Sequence, residues 1–81
     1  MKNTSTIVIV GIQLLQICSK NPYRLEISDN AGISWQQKFS GSTIVGQFYT
    51  LAVKGRMVFA QTSEGKFRSH DEGLSWIKIS V

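Results

Sequence analysis

The chain has 81 residues, 42% of them hydrophobic and 17% charged, with seven Gly and one Pro; that suffices for one small core and excludes a second domain and global disorder. Nine Lys and Arg against five Asp and Glu give a net charge of +4, but Lys20, Arg24, Lys38, Lys54, Arg56, Lys66, Arg68 and Lys78 are scattered through both halves, as solvated strand positions are, and argue against a nucleic-acid surface. Cys18 is the lone Cys and His70 the lone His, which excludes an internal disulfide and a Cys/His zinc cluster, and no apolar run reaches the ~18 residues of a membrane-spanning helix.

The first 18 residues, MKNTSTIVIVGIQLLQIC, combine a Lys with an apolar stretch, the outline of a signal peptide. Gln13 and Gln16 interrupt it, no small-x-small cleavage site follows, and Ile17 stands where a lipoprotein signal would place a small residue before Cys18. The stretch is expected to open a structural unit instead. Asn3-Thr4-Ser5 matches an N-glycosylation acceptor, a pattern too short to carry weight alone.

Strand signals then run to the end of the chain. Ile7 to Val10, Leu14 to Cys18, Tyr23 to Ser28 and Ser34 to Phe39 are rich in β-branched and aromatic residues or alternate apolar with polar. Phe48 to Val53, Arg56 to Gln61, Lys66 to Ser69 and Ser75 to Ser80 repeat the pattern, with Lys54-Gly55 and Ser63-Glu64-Gly65 as turns. Gly11 to Cys18 is the single stretch with a helical look, and it is short and follows a β-branched run.

Two phrases tie these strands together. SDNAGISW (Ser28 to Trp35) and SHDEGLSW (Ser69 to Trp76) stand 41 positions apart, Ser28 to Ser69. In each, Asn30 or Asp71 can fold its side chain onto backbone N–H groups, Gly32 or Gly73 can take φ > 0 at no steric cost, and Ser34-Trp35 or Ser75-Trp76 starts the outgoing strand. A period near 40 residues built of four antiparallel strands points to a propeller blade.

Ser28-x-Asn30-x-Gly32-x-Ser34-Trp35 and Ser69-x-Asp71-x-Gly73-x-Ser75-Trp76 resemble the Asp-box, or BNR repeat, S-x-D-x-G-x-[ST]-W. The second copy matches at every defined position, and the first departs by Asn for Asp. The resemblance implies a hairpin between the third and fourth strands of a propeller blade, as in sialidases, sortilin-like receptors, photosystem assembly factors and secreted bacterial propellers. Two departures bear on register. Lys38-Phe39-Ser40 matches Lys78-Ile79-Ser80 at an offset of 40, so the first copy should carry an extra residue, a bulge near Gln36 and Gln37. Ile27 also adjoins Ser28, whereas Phe67 lies two before Ser69.

Chemistry is thinly represented. A sialidase-like site would need Arg residues gripping a carboxylate, with Tyr, Glu and Asp beside them; Arg24, Arg56, Arg68, Tyr23, Tyr49 and Glu26 are the right types, but the family's Arg-Ile-Pro segment is missing. Glu64, Asp71 and Glu72 lack the spacing of a calcium loop. His70 reads as a turn residue, Cys18 as a small core residue that aligns with Phe59 at the offset of 41, and Trp35 and Trp76 as hairpin anchors rather than sugar platforms.

The chain is therefore expected to be all-β, one domain of two four-stranded antiparallel propeller-type blades with Asp-box hairpins, spanning about residues 6–41 and 46–81. The expected function is a non-catalytic scaffold or interaction module without cofactor or metal, which self-associates or belongs to a larger propeller. Its partner would be another copy or another protein, not nucleic acid or membrane. A carbohydrate-binding lectin and a remnant of a sialidase-like glycosidase are the alternatives. The resemblance favours an extracytoplasmic location. Three closures satisfy the apolar faces of two blades: a ring of several chains, a sandwich of the two sheets, or a longer propeller.

Overall fold

A computed structural model of the chain describes residues 6–79. The Asn3 acceptor motif and Ser80, the end of the last expected strand, lie outside these residues. Eight strands follow one another: β1 (Ile7–Val10), β2 (Gln13–Ile17), β3 (Leu25–Ser28), β4 (Gln36–Phe39), β5 (Phe48–Lys54), β6 (Met57–Thr62), β7 (Gly65–Ser69) and β8 (Ile77–Lys78). They form two four-stranded antiparallel meanders in chain order, β1-β2-β3-β4 and β5-β6-β7-β8. The described residues are all-β.

Short turns dictate the meanders. β1 and β2 are joined by Gly11-Ile12, and β5 and β6 by Gly55-Arg56; both glycines have φ of 63°, the first-position φ > 0 that a two-residue hairpin loop demands. The second turn sits one residue later than expected, because Lys54 still pairs with Met57. Ser63-Glu64 joins β6 to β7, and the Thr62 hydroxyl accepts from the Glu64 amide at 3.0 Å and donates to the Gly65 carbonyl at 3.2 Å. The β2–β3 connection is longer. Its Arg24 amide donates to the Asn21 carbonyl and its Tyr23 amide to Asn21 Oδ1, so Tyr23 and Arg24 belong to a turn and not to the strand expected there. Ser34-Trp35 and Ser75-Trp76 likewise fall in the β3–β4 and β7–β8 loops.

Pairing corrects the alignment of the two halves. Leu15 faces Ile27, and Phe59 faces Arg68, the residue 41 after Ile27. Leu15 is thus the counterpart of Phe59, and Gly11 of Gly55, at an offset of 44. Cys18, half-buried, is not the counterpart of Phe59; the β2–β3 connection absorbs the difference. The extra residue of the first half is Lys38, because Leu25 faces Phe39 while Glu26 faces Gln37. It lies beside the Gln36-Gln37 position expected from the sequence.

The register also assigns faces, since directly paired residues project to the same side. In the first sheet Val8, Leu15, Ile17, Leu25, Ile27 and Phe39 share one face, and Ile7, Ile9, Leu14, Gln16, Glu26 and Ser28 the other. In the second, Leu51, Val53, Val58, Ala60, Phe67 and Ser69 share one face, and Thr50, Ala52, Lys54, Phe59, Gln61, Lys66, Arg68 and Ile77 the other. Val10, Leu15, Leu25 and Ile27 join Leu51, Val58, Ala60 and Phe67 in a single core. The first-named face of each sheet therefore packs inward, with β5 lying against β1 and β2. A backbone bond from the Phe48 amide to the Pro22 carbonyl, 2.8 Å, and an edge-on contact of Phe39 with Phe48 stitch the two sheets.

These inner faces are not equivalent. Leu25 and Ile27 point inward, but their counterparts Lys66 and Arg68 point outward; Phe67 points inward and its counterpart Glu26 outward. The sheets meet head to tail. The mismatch of Ile27 and Phe67 relative to the two serines is the sequence trace of that arrangement, because each half buries the opposite side of its third strand.

Candidate functional site: twin turns and two outer faces

The ten residues of the repeated phrase form two turns with matching hydrogen bonds and positive φ angles. Ser69 ends β7 with its side chain fully buried; its hydroxyl donates to Asp71 Oδ1 at 2.7 Å and accepts from the Asp71 and Gly73 amides at 3.3 and 2.9 Å. Asp71 Oδ1 also accepts from the Ser75 amide at 2.9 Å, and Oδ2 accepts from the Ser75 hydroxyl at 2.5 Å. Leu74 closes onto the Asp71 carbonyl at 3.4 Å across Glu72 and Gly73, whose φ values are 64° and 98°. Two central residues with φ > 0 make this a type I′-like turn. The Glu72 position, which tolerates a non-Gly residue in this conformation, carries no signal in the sequence.

The first copy does the same with Asn30. Its Oδ1 accepts from the Ser28 hydroxyl at 2.8 Å and the Ser34 amide at 3.0 Å, and Ser28 Oγ accepts from the Gly32 amide at 2.9 Å. Among the Ser and Asx side chains the difference lies at one bond. Asn30 Nδ2 donates to Ser34 Oγ at 2.8 Å, where Asp71 instead accepts from the Ser75 hydroxyl, so an amide replaces a carboxylate by reversing one donor. Gly32 and Ala31 take φ of 88° and 61°.

The tryptophans anchor these loops. The Trp76 indole N–H donates to the Gly73 carbonyl at 3.0 Å, and its ring lies 5.3 Å from that of Phe48 in the core. Trp35 is half-buried beside its own turn, where a Cβ on Gly32 would stand 3.6 Å from the ring. Gly73 is buried in turn against the first sheet, with a Cβ there only 3.1 Å from Leu15 and 3.6 Å from Leu25. Comparison with family models, with curated proteins and with solved structures returns no match.

Electrostatics single out Asp71. Burial pushes its carboxyl upward, but the hydrogen bonds from Ser75 and Ser69 outweigh this and hold it down at about 2, against 3.8 ordinarily. A depressed carboxyl adds stability that is present above the unfolded value near 4 and is lost as pH falls toward 2. Because the group is exposed, solvent screening keeps the contribution modest. Asp71→Asn, which copies the first turn, should flatten the fall of melting temperature between pH 4 and pH 2 while leaving it nearly unchanged at pH 7; an unaltered acid profile would contradict the role given to this carboxylate.

Ser28 and Ser69 are both buried, but the amides they satisfy are not alike: Gly73 is buried and Gly32 half-buried. Ser69→Ala leaves the buried Gly73 N–H without an acceptor and should cost about 1–3 kcal/mol in urea unfolding. Ser28→Ala exposes a partly solvated amide and should cost less. Equal losses would mean that the two turns are equally buried.

The remaining chemistry-bearing residues stay apart. Tyr23 and Arg24 sit in the β2–β3 connection, Arg56 in the β5–β6 turn, Glu26 on the outer face of the first sheet, where it accepts from Gln16 Nε2 at 3.0 Å, and Arg68 on the outer face of the second. A groove on that second outer face is lined by Tyr49, Ala52, Phe59, Gln61, Lys66 and Ile79. His70 is exposed at its turn. Among the described residues no three His, Cys, Asp or Glu side chains gather as metal ligands would. One sequence expectation is corrected here: the bases are not all scattered, since Lys54, Lys66 and Arg68 share one face.

Proposed function

We infer that the chain is a pair of propeller-type blades turned by Asp-box hairpins, and that it serves as a non-catalytic scaffold or interaction module. What supports this reading is the head-to-tail meeting of the two sheets. Successive blades of a propeller meet in this way, each offering one side forward and the other back, whereas a two-fold sandwich joins identical faces. The paired Ser-Asx-Gly-Ser-Trp turns, with closely matching hydrogen bonds in each half, add to it. Head-to-tail stacking leaves a sheet face at each end with no next blade, and such faces are binding surfaces.

Titration against a glycan panel and incubation with a fluorogenic sialoside test the reading. No saturable sugar binding and no turnover are expected. Saturable binding of one saccharide would make the protein a lectin. Turnover that disappears in Tyr49→Phe or Tyr23→Phe would make it a glycosidase.

A further inference from the structure

The two outer faces are the unused halves of an interface the chain already makes once. The outer face of the first sheet occupies the repeat position of the second sheet's inner face: Ile7 stands for Leu51, Ile9 for Val53, Leu14 for Val58, Gln16 for Ala60, Glu26 for Phe67 and Trp35 for Trp76. The outer face of the second occupies that of the first sheet's inner face: Ala52 stands for Val8, Phe59 for Leu15, Lys66 for Leu25 and Arg68 for Ile27. Both retain apolar surface in water. Ile9 is 66% exposed on one, and Ile77 is 49% exposed on the other.

The polar substitutions on these faces are complementary. Glu26 replaces an inward Phe on the first, whose paired residues include no Lys or Arg; Lys66 and Arg68 replace an inward Leu and Ile on the second, joined by Lys54, and its paired residues include no Asp or Glu. Within the covered interface Phe67, Leu25 and Ile27 are all buried in one core; the uncovered pair offers a carboxylate and two cations at the matching repeat positions. The Gly73 turn rests on Leu15 and Leu25 within the chain, so the matching contact between chains sets the Gly32 turn, with Asp29 at its tip, over Phe59 and Lys66.

We propose that the partner of both faces is a second copy of this chain, docked head to tail with Glu26 of one copy against Lys66 and Arg68 of the next. This rests on the blade reading above and names the occupant of its open faces. The interface is heterologous, and repeating the rotation that relates the two sheets within the chain builds a ring where that rotation closes and an open filament where it does not. A charged seam in an otherwise apolar contact sets register and excludes pairing of two like faces.

Light scattering across a dilution series, with circular dichroism on the same samples, tests this. The wild type should show a discrete multiple of the chain mass. Lys66→Glu with Arg68→Glu should weaken assembly at least tenfold without changing the dichroism, because both side chains are exposed. Adding Glu26→Lys to that variant should restore the wild-type mass. Lys66→Gln with Arg68→Gln provides a milder variant and should weaken assembly in the same direction. A monomeric wild type, or assembly that ignores the reversal or is not rescued by the third change, would overturn the proposal. The blade reading fails separately: a folded monomer that keeps the Gly73 contact with Leu15 overturns self-docking alone, whereas a folded protein without that contact overturns the blade arrangement itself.

Discussion

Gly73→Val should destabilise the fold by roughly 2–5 kcal/mol, enough to unfold much of so small a protein. Two costs combine. At φ of 98° a β-branched side chain is strained, and its Cβ would stand 3.1 and 3.3 Å from the two methyl carbons of Leu15. Leu15 is fully buried and has no room to withdraw. Gly55→Ala is the control: its φ is also positive, but a Cβ there meets nothing within 4 Å, so only the backbone cost of about 1 kcal/mol applies. Urea denaturation of both variants measures the difference. Equal losses would mean that the Gly73 turn does not press on the first sheet.

Phe67→Ala carries the second large effect, about 3–5 kcal/mol. Phe67 is 1% exposed on the second sheet's inner face, where truncation leaves a cavity beside its pairing partner Ala60, in the core that Leu51 and Leu25 share. Phe59, next in sequence to the Ala60 that pairs with Phe67, lies on the opposite side of β6 from that core and is half-buried. Phe59→Ala should therefore cost much less in fold stability. Comparable losses, read from thermal or urea unfolding, would mean that the second sheet buries the other face.

The strands were largely legible because β-branched runs, alternation and turn residues agreed with one another. Strand ends were less so. Tyr23 and Arg24 continue the alternation of Leu25 and Ile27, yet Asn21-Pro22 draws them into a turn through the Asn21 carbonyl and side chain, a local bond that alternation cannot reveal. The repeat was visible at Ser28 and Ser69 but misleading before them, because three more residues sit in the β2–β3 connection of the first half. Gly11 and Gly55, each at the head of a two-residue loop, held the signal that sets the true offset.

Of the candidate site, the hydrogen-bonding role of Asn30 and Asp71 and the positive φ of Gly32 and Gly73 followed from side-chain chemistry. Which side of each sheet faces in was written only in the displacement of Ile27 and Phe67 relative to Ser28 and Ser69. Leu25 and Ile27 stand at the repeat positions of Lys66 and Arg68 by the offset of 41, and the packing of one sheet on the other turns the first two inward and the last two outward. The grouping of Lys54, Lys66 and Arg68 stays hidden, since it depends on pairing across three strands.

The head-to-tail meeting of the sheets is tested most directly by nuclear Overhauser effects in methyl-labelled protein. Cross-peaks are expected from the Gly73 α-protons to the methyls of Leu15 and Leu25, and none between the methyls of Leu15 and the methyl of Ala52. Leu15-to-Ala52 peaks in place of the Gly73 contacts would show like faces packed together and would contradict it.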